Sequence, residues 1–444
     1  MRTIGLLPLL LALQAAAQER RDPRVQAVVQ RIDPARLQAV VAKLVSFGTR
    51  HTLSDTASET RGIGAARRWL AGEFAAAARG SRLKPFEDRF TAEKGPRIPA
   101  PAELINLGVV LPGTDAARAK QAIVMTGHYD SIPSDPMDAR SDAPGAVDDG
   151  SGTAMALESA RAFAGESPAV SIYFVAVAGE EQGLVGSQHL AERFRAQGID
   201  VIAMTSVDIA GNGEGQDGIK DTSSARLYSE GVPTIESEAQ KKLREALGGD
   251  NDGRAREWAR YLERVGSRYV EALRLRVMLR RDRIARGSDH MSFARVGYPG
   301  VRLSEAREDY RREHQTPRVE GGVDYGDNLA HFDAFYASRM CKALAAAIAS
   351  LAFAPAPPGQ VTLAGAVSPD TRLRWTMPAD ARIADVVLYR RPAEDVRWAR
   401  ATSLGKVDHV TLPSVVPDDF FFAVATADAA GNESLPQTPG EIGR

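Results

Sequence analysis

The chain has 444 residues, of which 44% are hydrophobic and 25% are charged, a balance typical of globular proteins. The length leaves room for more than one domain. The formal net charge of −1 argues against a nucleic-acid-binding protein, because such proteins normally carry a basic excess.

The first 17 residues have the pattern of a secretory signal peptide. Arg2 supplies the positive start, residues 4–13 are apolar, and three alanines at 15–17 form a small-residue cleavage site. The apolar run is too short to cross a membrane as a helix, and no later run is long enough. Cys341 is the single cysteine, which excludes an intrachain disulfide. We therefore expect an exported protein, periplasmic or secreted, without stable membrane insertion, although an uncleaved anchor is the alternative.

Residues 18–100 are predicted to form a largely helical N-terminal part, because apolar residues recur there at helical spacing. Strands and helices then alternate over residues 101–351. The predicted strands are 122–126, 170–177, 203–208 and 299–303, and the predicted helices are 152–163, 187–195 and 254–273. This alternation predicts an α/β fold, a three-layer sandwich with a mostly parallel central sheet. Residues 211–252 are rich in Gly, Asp, Glu and Ser and are interpreted as an excursion over the site or a mobile insert.

The composition changes at residues 352–359, which are rich in proline and are predicted to be a linker. Residues 360–444 follow as short strands separated by turn residues, which predicts a small β-sandwich. This segment resembles a fibronectin type III module, with Trp375 and Tyr389 as expected core aromatics. It carries no cluster of reactive residues, and is a candidate for contact with the cell envelope or another protein.

Polar residues of the kind that bind metals follow several predicted strands. His128 and Asp130 end the first strand and share a face, so a metal-bound histidine could donate its other ring proton to the aspartate. Asp148 and Asp149 precede a glycine-rich turn into a helix. Asp149 is a candidate N-cap, which leaves Asp148 without a structural role.

The adjacent carboxylates Glu180 and Glu181 follow the next buried strand, where burial of like charges is costly without a cation nearby. Asp208 closes a third strand, and His314 lies on a loop before a Thr-Pro turn. Taken singly, each of these residues is explained as well by a cap, a turn or solvent exposure.

Taken together, two histidines and four acids fall at one edge of the predicted sheet, where parallel strands place their ligands. They are His128 and His314 with Asp148, Glu180, Glu181 and Asp208. Several carboxylates in one place would raise each other's pKa values, and bound divalent cations would remove that cost. Oxygen and imidazole ligands without thiolate suit a catalytic zinc, with manganese or cobalt as alternatives. We expect two ions per chain.

The sequence from about residue 40 to 351 resembles the zinc-dependent aminopeptidases of the bacterial leucyl aminopeptidase type, a family that includes glutamate carboxypeptidase II and the transferrin receptor ectodomain. Five motifs occur in the family's order, and a further loop motif also fits. They are HYD at 128–130, DDGSG at 148–152, GEEQG at 179–183, Asp208 and His314, together with SDHMSF at 288–293. By resemblance, His128 and Asp208 would hold one metal, Glu181 and His314 the other, and Asp148 would bridge both.

The resemblance also implies the catalytic roles. Glu180 would be the general base rather than a ligand, and Asp130 would orient His128. The peptide bond between Asp148 and Asp149 would be cis. Tyr310 is a candidate for stabilising the oxyanion or contacting the substrate, although a packed loop tyrosine is the simpler interpretation.

The sequence thus predicts an exported metallo-exopeptidase, an aminopeptidase that acts on peptides through a water activated by two zinc ions. A carboxypeptidase or dipeptidase on the same scaffold is one alternative, and a glutaminyl cyclase with one zinc is another. The third is a non-catalytic, receptor-like binding protein. The presence of Glu180 with every candidate ligand favours the hydrolase over that last alternative.

Overall fold

The computed structural model describes residues 20–443, so the predicted signal peptide at 1–17 lies outside the described residues. The chain forms two compact units. The larger unit contains residues 27–235 and 253–347. The smaller unit contains the described residues before 27 together with residues 236–252 and the chain from 348 onward. Within the described range, no helix combines the length and apolarity needed to cross a membrane.

The helices and strands have the following bounds. The α-helices are α1 Pro23–Arg31, α2 Pro34–Val45, α3 Gly62–Ala78, α4 Gly150–Phe163, α5 Val185–Ala196, α6 Glu238–Leu247, α7 Arg254–Tyr269, α8 His290–Arg295 and α9 Ala334–Phe353. The strands of the larger unit are β1 Lys84–Ala92, β2 Ala102–Leu111, β3 Gln121–His128, β4 Ser171–Val177, β5 Asp200–Val207, β6 Ser224–Ser229, β7 Arg274–Met278, β8 Gly300–Glu305, β9 Arg318–Glu320 and β10 Val323–Tyr325. Those of the smaller unit are β11 Gly359–Ala364, β12 Thr371–Thr376, β13 Asp385–Pro392, β14 Arg400–Ser403, β15 His409–Leu412, β16 Phe420–Ala427 and β17 Glu441–Ile442.

The larger unit is built on an eight-stranded sheet with the order β1-β2-β4-β3-β5-β8-β6-β7. The four central strands β4, β3, β5 and β8 are parallel. The pairs β1–β2, β2–β4 and β8–β6 are antiparallel, and β6–β7 is parallel. The α/β prediction is therefore confirmed, and the sheet is mixed, with four parallel strands at its centre and one parallel pair at the β7 edge.

Helices cover both faces of this sheet. On one face, Leu190 and Phe194 of α5 pack against Val124 and Met204 of the central strands. Successive strand residues point to opposite faces, so Thr205 faces the other side, where it accepts a hydrogen bond from Trp258 Nε1 of α7 at 2.9 Å. These contacts give the larger unit the three layers that the sequence predicts.

Helix α4 lies close to the sheet. A Cβ at position 127 of β3 would lie 2.2 Å from the carbonyl carbon of Gly152, so only glycine permits this approach. The close packing brings the start of α4 next to the end of β3, where His128 lies.

Several segments differ from the sequence prediction. Strand β1 lies inside the range 18–100 that the sequence described as helical, so that description holds only for residues 23–78. The segment 211–252 is not a structureless excursion, because it contains β6, which pairs with both β8 and β7, and helix α6. The predicted helix 254–273 ends at Tyr269. The predicted linker at 352–359 begins inside α9, which continues to Phe353.

The smaller unit contains two sheets, with the orders β15-β12-β11-β17 and β14-β13-β16. Side chains from both sheets share one hydrophobic core, in which Leu373 and Trp375 of one sheet meet Leu388 and Val424 of the other. This is the packing of a β-sandwich. Trp375 is buried in that core, and Tyr389 is buried in a second cluster, as predicted. The likeness to fibronectin type III stays a prediction.

Helix α6 belongs to the smaller unit although it lies between strands of the larger unit in sequence. A capping box of Ser237 and Gln240 begins the helix, and Gly248 with a φ of 65° ends it. Asp252, just beyond it, pairs with the buried guanidinium of Arg391 on β13. Residues 236–252 are therefore an ordered component of the smaller unit.

Candidate metal centre

The parallel register brings the ends of the central strands to one edge of the sheet. His128 at the end of β3 lies opposite Val177 at the end of β4. The chain then turns through Glu180 and Glu181, whereas Asp208 follows β5 directly and donates its amide to Leu303 O at 3.1 Å. All of these residues leave the sheet on the same side, as the alternation of strands and helices predicts.

His128 is the centre of the first group. Its Nε2 lies 3.1 Å from Asp148 Oδ1 and 3.9 Å from Asp208 Oδ1, and all three side chains are buried. Its other ring nitrogen, Nδ1, lies 3.1 Å from the backbone oxygen of Asp130. The contact at Nδ1 therefore fixes the ring so that Nε2 faces the carboxylates of Asp148 and Asp208.

The second group uses the other oxygen of the same aspartate. His314 Nε2 lies 3.1 Å from Asp148 Oδ2 and 3.2 Å from Glu181 Oε1. His314 is the more exposed member, with 39% of its side chain accessible. Asp148 thus presents one oxygen to His128 and the other to His314, so the two groups share this residue.

The donor atoms fit divalent cations. In each group, one atom from each of three residues lies within 4.8 Å of the others, for His128, Asp148 and Asp208 and for Asp148, Glu181 and His314. Glu181 and Asp148 raise the pKa of His314 well above its ordinary value against the effect of burial. Burial lowers the pKa of His128, but the surrounding carboxylates outweigh it and raise the value. Oxygen and imidazole donors without sulfur suit zinc.

Glu180 lies beside both groups. A third set of mutually close donor atoms joins it to His128 and Glu181, so the two adjacent glutamates reach the same site. Burial raises the pKa of Glu180 well above its ordinary value, attraction to His128 opposes this shift, and the charge of Glu181 adds to it. Unlike Glu181, Glu180 is only half-buried.

Asp149 has a structural role, as predicted for an N-cap. Its Oδ1 accepts a hydrogen bond from Gly152 N at 2.8 Å at the start of α4, and its Oδ2 accepts one from His128 N at 2.9 Å. The peptide bond between Asp148 and Asp149 is cis, as the resemblance implies. One aspartate of the pair therefore anchors the backbone, which leaves the other to face the site.

Several further residues that no sequence motif marks contact the site or the loop that carries Asp148. Arg302 is fully buried on β8, and its Nη2 lies 3.3 Å from Asp208 Oδ1. Arg50 and Asp327 bond to the loop that carries Asp148. No sequence motif marked them, because each acts alone from a distant part of the chain.

Three other residues stand as follows. His51 lies in the loop after α2 rather than in a helix, and its buried ring is 3.4 Å from the side-chain nitrogen of Gln182. Asp289, in the SDHMSF motif, is fully buried, and burial raises its pKa to about 7. Tyr310 is 59% exposed, so its role in the site stays a prediction.

Comparison with known proteins identifies the family. Residues 106–325 match peptidase family M28. The chain is 38% identical over 416 residues to a probable zinc metalloprotease of Leptosphaeria maculans, an alignment that covers 93% of this chain and 96% of the relative. The chain belongs to peptidase family M28. A probable zinc metalloprotease of Pyrenophora tritici-repentis is 36% identical to the M28 chain, over 95% of this chain and 98% of the relative.

Solved structures agree on the fold of this M28 peptidase. LapA of Legionella pneumophila superposes with a TM-score of 0.51 at 22% identity, over 74% of this chain and 76% of LapA. A second structure, described as the LapA aminopeptidase of Legionella pneumophila, superposes with a TM-score of 0.50 at 20% identity, over 80% of this chain and 79% of that structure. The prediction of a zinc-dependent metallopeptidase is confirmed by the family and its zinc metalloprotease members.

Proposed function

We propose that this M28 peptidase is an aminopeptidase that uses two zinc ions and Glu180 to hydrolyse the first peptide bond of peptides. One observation carries the proposal: Asp148 presents its two oxygens to two separate donor groups, and Glu180 lies beside both groups. A purely structural metal site has no need of a spare carboxylate, whereas hydrolysis requires a base.

The two donor groups define which residues would hold the ions. His128 and Asp208 would hold one zinc, Glu181 and His314 the other, and Asp148 would contribute to both. When bound, the zinc ions supply a Lewis acid that polarises the scissile carbonyl and increases the acidity of a water molecule. Arg302 beside Asp208 holds that carboxylate in place.

Glu180 would move the proton. Burial raises its pKa above the ordinary value of a glutamate, and this carboxylate would accept a proton from water and return it to the leaving amine. Asp130 would support this step by holding the backbone of the glutamate pair. Tyr310, on the loop that leads to His314, would contact the substrate or its developing oxyanion.

The choice of an aminopeptidase is supported by the shared fold with a protein described as an aminopeptidase. We also propose that the enzyme is exported to the periplasm or the medium, on the basis of its first 17 residues. Peptides are the proposed substrates. The smaller unit is proposed to be a fibronectin type III-like module that contacts the cell envelope or another protein.

The test compares one peptide with a free amino terminus, with an acetylated amino terminus and with an amidated carboxyl terminus, using enzyme of measured zinc content. We expect cleavage of the free and the amidated forms at the first bond and none of the acetylated form. Cleavage of the acetylated form with a requirement for a free carboxyl terminus would instead show a carboxypeptidase. Cyclisation of a glutaminyl peptide without hydrolysis would show a cyclase. Full activity in enzyme with less than one zinc per chain would contradict the metal assignment.

A further inference from the structure

The loop of residues 143–148, here the Asp148 loop, is held on its carbonyl side by Arg50. The Arg50 side chain is fully buried. Its Nη2 donates to Gly145 O at 2.8 Å, its Nη1 donates to Pro144 O, and its Nε donates to Tyr129 O at 2.8 Å. Since Tyr129 follows His128, one guanidinium joins the end of β3 to the Asp148 loop.

Asp327 holds the same loop on its amide side. The backbone oxygen of Asp327 accepts a hydrogen bond from Ala146 N at 3.1 Å. Its carboxylate accepts hydrogen bonds from Val147 N, at 2.9 Å to each oxygen, and from Asp148 N at 2.7 Å. Three consecutive amides, ending with that of Asp148 itself, are therefore bonded to a single residue.

The charges of Arg50 and Asp327 and the close packing at Gly145 fit these two residues to the Asp148 loop. Burial lowers the pKa of Arg50 to about 10, so the group stays charged near neutral pH. The negative charge of Asp327 has the largest effect in the opposite direction. A buried cation and a buried carboxylate are each costly without the other. Gly145 has a φ of 54°, and a Cβ at that position would lie 2.7 Å from Arg50 Nη2. The loop therefore follows the guanidinium closely.

We propose that Arg50 and Asp327 are positioning residues that fix the Asp148 carboxylate so that one oxygen faces His128 and the other faces His314. Neither residue is assigned a contact with substrate. The proposal relies on the proposed function only for the identity of the ions that Asp148 shares. It implies that the chain shapes the shared ligand before zinc binds.

The first test compares Arg50→Lys with Arg256→Lys. Lysine keeps the charge but cannot reach three carbonyls from one planar group. Arg256 is a matched control, because it is also buried and donates to Ser229 Oγ at 2.7 Å and Ser229 O at 2.6 Å, outside the ligand set. Zinc affinity is measured by competition with a chelator, and kcat and KM with leucine p-nitroanilide.

We expect Arg50→Lys to lower zinc affinity and kcat by roughly 10–100-fold, the usual cost of losing a residue that orients a metal ligand. KM should change much less, and Arg256→Lys should keep the wild-type zinc affinity. Asp327→Asn should act like Arg50→Lys, because its amide nitrogen would face backbone donors. Wild-type zinc affinity and kcat in both Arg50→Lys and Asp327→Asn would overturn the proposal.

A second test uses the unaltered chain and so does not depend on the folding of a variant. In zinc-free protein, hydrogen exchange of the amides of Ala146, Val147 and Asp148 should stay as slow as that of β3. Rapid exchange of these three amides beside a protected β3 would overturn the proposal. Zinc affinity and hydrogen exchange are both independent of the reaction, so an enzyme that binds zinc but fails the aminopeptidase assay would contradict only the proposed function.

Discussion

The carboxylate of Asp130 accepts a hydrogen bond from the backbone amide of Glu181 at 3.1 Å, and a second from that of Glu180 at 3.3 Å. The resemblance implies that Asp130 orients His128, but His128 Nδ1 lies closer to the Asp130 backbone oxygen, at 3.1 Å, than to its carboxylate, at 3.6 Å. Asp130 therefore acts on both sides of the site. Its carbonyl holds the histidine ring, and its side chain sets the turn that directs the two glutamates.

Replacement of Asp130 by asparagine should weaken both zinc binding and turnover. The asparagine side chain has one acceptor oxygen instead of two, and its amide would face a backbone donor. We expect kcat and zinc affinity each to fall by roughly 10–100-fold. Thr52→Val is the control, since it removes only the hydroxyl that donates to Asp130 Oδ2 at 3.0 Å, and its effect should be much smaller. Equal effects of the two changes would contradict the role given to Asp130.

Replacement of Glu180 by glutamine should separate chemistry from metal binding. Glutamine keeps the shape but cannot accept the proton, so turnover should fall by about 10²–10⁴-fold, the range that general base catalysis contributes. Zinc content, measured by atomic emission, should stay at the wild-type value. Glu181→Gln is the comparison, because it should lose zinc and turnover together. Wild-type turnover in Glu180→Gln would remove Glu180 as the base.

Metal removal should destabilise the larger unit. Without cations, the carboxylates of Asp148, Glu181 and Asp208 remain close together, and the basic side chains beside them are His128, His314 and Arg302. Zinc that binds only the folded chain should stabilise it by about 2.7 kcal/mol at a free concentration of 100 Kd. Thermal unfolding followed over a series of buffered zinc concentrations measures this directly. Asp148→Ala should abolish most of the dependence, and a wild-type melting temperature insensitive to zinc would show that the donor groups do not bind it.

Several residues of the site could be predicted because they follow the ends of strands. A buried apolar run shows where a strand lies, and the polar residue that follows it must emerge at the edge of the sheet. That reasoning placed His128, Glu181 and Asp208 in one region, and the structure brings their donor atoms into adjoining groups. His314 joins this group as a loop histidine with no periodic pattern around it, and its role as a metal ligand is implied only by the family resemblance.

The supporting residues could not be predicted in this way. Arg50, Asp327 and Arg302 act through backbone carbonyls, backbone amides and one carboxylate, and those partners are set by tertiary structure rather than by neighbours in sequence.

Strands β1 and β6 were missed for a related reason. Strand β1 is at the sheet edge and largely exposed, so its sequence lacks a continuous apolar run. Strand β6 has only six residues, SARLYS, within a polar segment.

The β-sandwich of the smaller unit should depend on Trp375. The ring is 3% exposed in a core formed by both sheets, and its Nε1 donates to Val407 O at 2.9 Å. Trp375→Ala should lower the free energy of unfolding of this unit by about 3–5 kcal/mol through the cavity that it leaves. Trp375→Phe should cost less, about 1–3 kcal/mol, mainly because the Val407 carbonyl loses its donor.

Urea denaturation of the full chain measures both changes, with Val367→Ala as the control, since Val367 is fully exposed and its removal should change stability by less than about 0.5 kcal/mol. Zinc content should stay constant in all three variants, because every proposed ligand belongs to the larger unit. If Trp375→Ala unfolds at the same urea concentration as Val367→Ala, the two sheets do not share the core that the structure shows.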